Sequence, residues 1–191
     1  MINNSTPGDG SDAIELFGEI YLKYQKRILE LISMEAFDAL IDYIKQAQKK
    51  TRDDHWLMMQ LALAYLFKQD YQKTHKALRD AMILHDDCIM VPYLSGHLFL
   101  QKGEWTKAAS LFQIVIDAGV EAIYNYSSCL CCGEEHQAHS IVADSNFLLS
   151  ECYNYLGCKE QAVFHRNLHR KAVSEGVRSI YDPETTIDDE D

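Results

Sequence analysis

Residues 54–118, DHWLMMQLALAYLFKQDYQKTHKALRDAMILHDDCIMVPYLSGHLFLQKGEWTKAASLFQIVIDA, decide how this chain folds. Within them Ala62, Tyr65, Tyr71, Leu78 and Ala81 are matched 34 positions later by Gly96, Phe99, Trp105, Phe112 and Val115. Each unit reads as two helices and a turn. In the first helix a small residue lets its neighbour approach closely, and an aromatic one turn later fills the groove beside it. In the second, Leu78 with Ala81, and Phe112 with Val115, stand three apart on one face, while Tyr71 and Trp105 follow the turn. A unit this short cannot bury both of its faces, so stacked neighbours must complete the core and further copies are expected on either side.

A 34-residue period with this order of small and aromatic residues resembles the tetratricopeptide repeat. The resemblance implies an all-α, TPR-like α-α superhelix and a binding surface in place of an active site. Upstream, Leu16, Ile20, Tyr24, Ile28, Leu31 and Ile32 mark a long helix from about Asp12 to Ser33. A second, from about Glu35 to Lys50, carries Phe37, 34 positions before Tyr71. This pair reads as a degenerate repeat with Ile28 at the small position. Asp54 and Asp70 are placed to cap the helices that follow them, and Pro92 falls in a first turn, where a missing amide donor costs little.

Downstream the pattern breaks at Gly119 and resumes with Leu149, Ser150, Tyr153, Gly157 and Ala162. Ala162 lies 54 positions after Ala108, one period plus 20 residues. Apolar spacing over 135–156 assigns much of the surplus to an upstream extension of the first helix of the last pair, and the remainder to a cysteine-bearing loop. A last helix runs from about Lys159 to Ser174. The expected organisation is a disordered amino terminus (1–11), a helical domain of about four pairs (12–176) with an insertion at about 119–134, and an acidic tail (177–191).

Composition fits one soluble domain: 191 residues, 47% hydrophobic, 25% charged. The net charge of −11 argues against binding to nucleic-acid phosphates or an anionic membrane. Much of it is local, since Asp182, Glu184, Asp188, Asp189, Glu190 and Asp191 stand together with no Lys or Arg. No signal peptide or membrane span is read, and the six cysteines are expected to be reduced in a cytoplasmic protein.

From His55 to Tyr181 the chain resembles a group of bacterial tetratricopeptide proteins of unassigned function. The residues that carry this are His55-Trp56-Leu57, Cys132-Gly133-Glu134, Cys152-Tyr153, Leu156-Gly157, His169, and the closing Gly176-x-x-Ser179-Ile180-Tyr181. Glu135 departs from the group, which has a second Gly there. The resemblance implies a fold and a loop architecture, and no activity.

The sharpest chemical alternative is a zinc site or thiol centre. Cys129 and Cys132 have Cys-x-x-Cys spacing, and His136 and His139 would share one helix face. Only three residues separate Cys132 from His136, however, too few for a chain to wrap a metal in the usual way. Glu134 and Glu135 also oppose a lowered thiol pKa. The expectation is therefore no enzyme, no cofactor and no metal.

Helix positions beside the packing residues give an expected partner face of Tyr93, His97, Gln101, Phe147, Glu151, Asn154 and Tyr155. It is aromatic and polar. Tetratricopeptide domains that grip a chaperone's carboxyl-terminal peptide use Lys, Arg and Asn there; the basic pair is missing here, which disfavours that ligand class. The reading is a cytoplasmic scaffold for a protein or peptide partner, with a chaperone-like adaptor for a secreted or toxin partner as a variant and a zinc- or thiol-dependent regulator as the alternative.

Overall fold

The computed structural model describes residues 10–51, 54–125 and 135–182. It contains α1 (Gly10–Ser33), α2 (Phe37–Thr51), α3 (His55–Phe67), α4 (Tyr71–Leu84), α5 (Met90–Gln101), α6 (Trp105–Asn125), α7 (Glu135–Tyr155) and α8 (Lys159–Ser174). No strand occurs among the described residues. Each helix packs on the next, and α3 also reaches α5. Among the described residues the fold is an all-α superhelix of four helix pairs.

Its repeat is clearest in the turns. Glu35, Gln69 and Gly103 all have positive φ (52°, 56° and 71°) and lie 34 residues apart; Gly157 (76°) follows after 54. At each of them the amide of the next residue bonds a carbonyl five residues back, Ala36 to Leu31, Asp70 to Tyr65, Glu104 to Phe99 and Cys158 to Tyr153, all at 2.9 Å. This is one left-handed helix cap used at the turn inside each of the four pairs. It makes α1–α2 a true repeat and fixes the register of α7–α8 after the insertion.

The caps read from sequence are formed. Asp54 Oδ1 accepts the Leu57 amide at 2.7 Å, and Asp70 Oδ1 accepts that of Lys73 at 3.2 Å. At the small positions, Ala62, Gly96 and Ser150 are buried, and a bulky Ile28 is equally buried in the first pair. Phe112 fills the space that Gly96 leaves: a Cβ built on Gly96 would stand 2.7 Å from Cε1 of the Phe112 ring.

Four boundaries differ from the sequence reading. α1 starts at Gly10, two residues before the expected Asp12; residues 1–9 lie outside the described residues. α2 starts at Phe37, because Glu35 is spent on the left-handed turn. Gly119 does interrupt the chain (φ 73°, ψ 170°), yet 120–125 is a second helical stretch of α6 and not loop. Its Ile123 is fully buried and Val120 packs on the core, which gives that stretch an apolar face to bury. The segment 177–182, expected as the start of a tail, folds back onto α7 and α8. The extension of α7 is as expected: 21 residues against 13 in α3 and 12 in α5, about two extra turns.

Candidate functional site

The same register that aligns the turns shows where the last pair departs from the others. Ser150 stands at the place of Gly96, Phe147 at that of Tyr93, Arg166 at that of Phe112 and His169 at that of Val115. Asp144 takes the place of Met90. Positions that are apolar in the first three pairs therefore carry a cation, an imidazole and a carboxyl here. Buried polar groups need partners, and these find them in one another and in the segment after Gly176.

Gly176, with φ 91°, ends α8 and turns the chain back. Ser179, 4% exposed, then donates its hydroxyl to Asp144 Oδ1 at 2.5 Å. Because that proton is committed, Nε2 of His169 donates to Ser179 Oγ at 2.9 Å, which fixes the histidine tautomer. The Tyr181 amide reaches the same oxygen at 3.1 Å, and the Ile180 amide bonds Asp144. The Tyr181 ring stacks on Phe147 with centroids 4.5 Å apart and planes 5° from parallel. Arg166 sits 4.1 Å from the Phe147 centroid, pairs with Glu151, and donates Nε to Ser150 Oγ at 3.0 Å. A separate pair joins α7 to α8 nearby, with His165 Nδ1 2.9 Å from Asn146 Oδ1. Residues 177–182 thus form a strap across the first-helix side of the last pair. Burial first, and then the charges of Asp144 and Tyr181, push the Tyr93 hydroxyl of α5 well above the usual phenol range.

Among the residues expected to line a partner face, Tyr93 (8% exposed) and His97 lie inside the packing instead, edge-on to each other and to Phe112. Phe147 and Glu151 belong to the strap network. Tyr155 stacks on Trp105 with centroids 3.9 Å apart, while Gln101 and Asn154 are exposed. The structure brings Tyr93 and Phe147 together around the strap and leaves Gln101, Asn154 and Tyr155 outside it. Asp144 and Arg166 had no place in the sequence reading, and Ser179 and His169 entered it only through the family resemblance.

Cys129, Cys131 and Cys132 lie outside the described residues. His136 and His139 line a cavity of about 500 Å³ with Ser140 and residues 175–178, at the start of α7. No group of three or more His, Cys, Asp or Glu suited to a metal occurs among the described residues. Cys152 is buried, and burial pushes its thiol up to about 11, so it is a poor nucleophile at neutral pH. Replacing Cys129, Cys131 and Cys132 together by Ser is expected to lower the melting temperature by no more than a few degrees, with helicity kept in excess chelator. Stoichiometric zinc lost with the triple substitution, together with a large drop in melting temperature, would contradict that.

Burial raises the Asp144 carboxyl to about 6 against the opposing bonds from Ser179 and Ile180, and lowers His97 to about 4. His165 and His169 are lowered for the same first reason. The signs oppose one another. The raised Asp144 contributes stability that is full below about 3.8 and is lost as pH rises through about 6. The depressed histidines contribute stability that is full above about 6.5 and is lost as pH falls toward their folded values. Asp144→Asn should therefore gain on the wild type between pH 4 and pH 7, by about 2 kcal/mol once solvent screening is allowed for. Urea titrations across that range measure it, and a constant difference between the two proteins would contradict the assignment.

No protein-family model matches the chain, and no curated protein matches it. The site is read from its own geometry. Among the described residues no helix is long and apolar enough to cross a membrane.

Proposed function

We propose that the chain is a tetratricopeptide-repeat scaffold that holds a short peptide segment of a protein partner on the first-helix side of its last pairs. One observation carries this reading: that side already holds a short irregular segment, 177–182, which turns at Ile180 and Tyr181 and is fixed by a buried hydroxyl and a stacked ring. Helical superhelices offer long inner surfaces of this kind, and peptide segments docked through backbone and side-chain contacts are one of the ways such surfaces are used. The spacing of 34 residues in the sequence and in the four turns supports the repeat family, and the Gly176 to Tyr181 ending supports the resemblance to the bacterial group. A cytoplasmic protein partner fits the acidic charge better than nucleic acid does.

Selection of a random-peptide display library on the immobilised full chain tests the proposal. Enriched peptides should lose binding to Arg166→Glu and keep it to Lys76→Glu, an exposed position on α4. No enrichment, or enrichment indifferent to Arg166→Glu, would overturn it.

A further inference from the structure

We infer that the surface beneath the strap reads a hydroxyl residue, any residue, an aromatic residue and an acidic residue in that order, and that Ser179-Ile180-Tyr181-Asp182 is the chain's own copy of that ligand. The inference rests on the scaffold reading above and adds the chemistry of the partner.

Each position in the strap is treated differently by the site. The hydroxyl of Ser179 is fully used, donating to Asp144 at 2.5 Å and accepting from His169 at 2.9 Å and from the Tyr181 amide at 3.1 Å. A methyl in its place would leave a buried carboxyl and an imidazole N–H without their shared partner, so Ser or Thr is selected strongly. Ile180 is 68% exposed, and only its amide is used, by Asp144. Its side chain is not read. The third position faces Phe147, which Arg166 also approaches at 4.1 Å, so a flat aromatic ring is favoured. At the fourth, Asp182 acts on His169 and lines a cavity of about 580 Å³ with Arg166 and Arg170, a setting that favours a carboxylate.

The strap is also poised to give way. It is held by one hydroxyl network and one ring, with no regular secondary structure within 177–182. A tethered ligand of this length competes at a millimolar effective concentration, so a partner carrying the same pattern must bind well to displace it, and the strap sets the threshold.

The test uses the full chain in two forms, wild type and Ser179→Ala with Tyr181→Ala, and a fluorescein-labelled synthetic peptide with the sequence of residues 177–182. Fluorescence anisotropy should show the unlatched form binding the peptide at least about tenfold tighter than the wild type. Peptides with Ser→Ala or Tyr→Ala should each lose about tenfold or more, and the Ile→Ala peptide should bind within about twofold of the parent. Circular dichroism checks that the unlatched chain is folded; if it is not, Ser179→Ala alone, which removes the hydroxyl that joins the strap to Asp144 and His169, gives the comparison. A folded, unlatched chain that does not bind the peptide, or binds it regardless of the Ser and Tyr, overturns the inference. Library peptides that bind through Arg166 with another pattern overturn it too and leave the scaffold reading standing, whereas a library that yields nothing overturns both.

Discussion

Phe112→Ala is expected to reduce the unfolding free energy by about 3 to 5 kcal/mol, the range for truncating a fully buried phenylalanine. Phe112 is completely buried on α6, and its ring faces α5 where Gly96 lets the two helices close. The edges of Tyr93 and His97 pack around the same ring, with centroids 6.2 and 5.5 Å away. Collapse into the space would require Tyr93 and His97 to give up their present edge-on packing. Urea denaturation of the full chain measures the loss. A change under about 1 kcal/mol would mean that α5 and α6 do not meet through this ring.

Gly96→Leu should destabilise by about 1 to 3 kcal/mol, through the opposite fault. A Cβ at this position lies 2.7, 2.8 and 3.1 Å from three carbons of the Phe112 ring, so Gly96→Ala already forces a shift and the leucine a larger one. The neighbour is a buried aromatic ring and not the tip of a flexible chain, which removes the cheap way out. The two positions are therefore coupled. In a Phe112→Ala background Gly96→Ala should lose most of its cost, leaving an interaction of about 1 to 2 kcal/mol in the double-mutant cycle. Strict additivity would show that the close approach lies elsewhere.

Both of these sites could be read from the spacing of small and large residues, and so could the caps at Asp54 and Asp70 and the lengthened α7. The reason is that helix packing writes itself at a fixed interval. Two of the turns were harder to see, because Glu35 and Gln69 adopt positive φ without being glycine. The helical stretch after Gly119 is too short for its periodicity to outweigh the glycine before it, and only its burial of Ile123 explains it. The strap network has a signal of its own in the sequence. Carrying the 54-residue offset through α8 sets Arg166 and His169 against Phe112 and Val115, and polar residues at packing positions demand partners. What no periodicity foretells is the partner itself, a short irregular segment whose attachment depends on one hydroxyl and one ring.

The measurement that bears most directly on the account is amide hydrogen exchange at Ile180 and Tyr181 in the full chain. Their amides bond Asp144 and Ser179 Oγ, so a docked strap predicts exchange slowed at least about tenfold relative to an unstructured peptide, with the protection lost in Ser179→Ala while α7 and α8 stay protected. Exchange of both amides at the unstructured rate in the wild type, with α7 and α8 protected, would contradict the strap and with it the claim that this face holds a peptide segment.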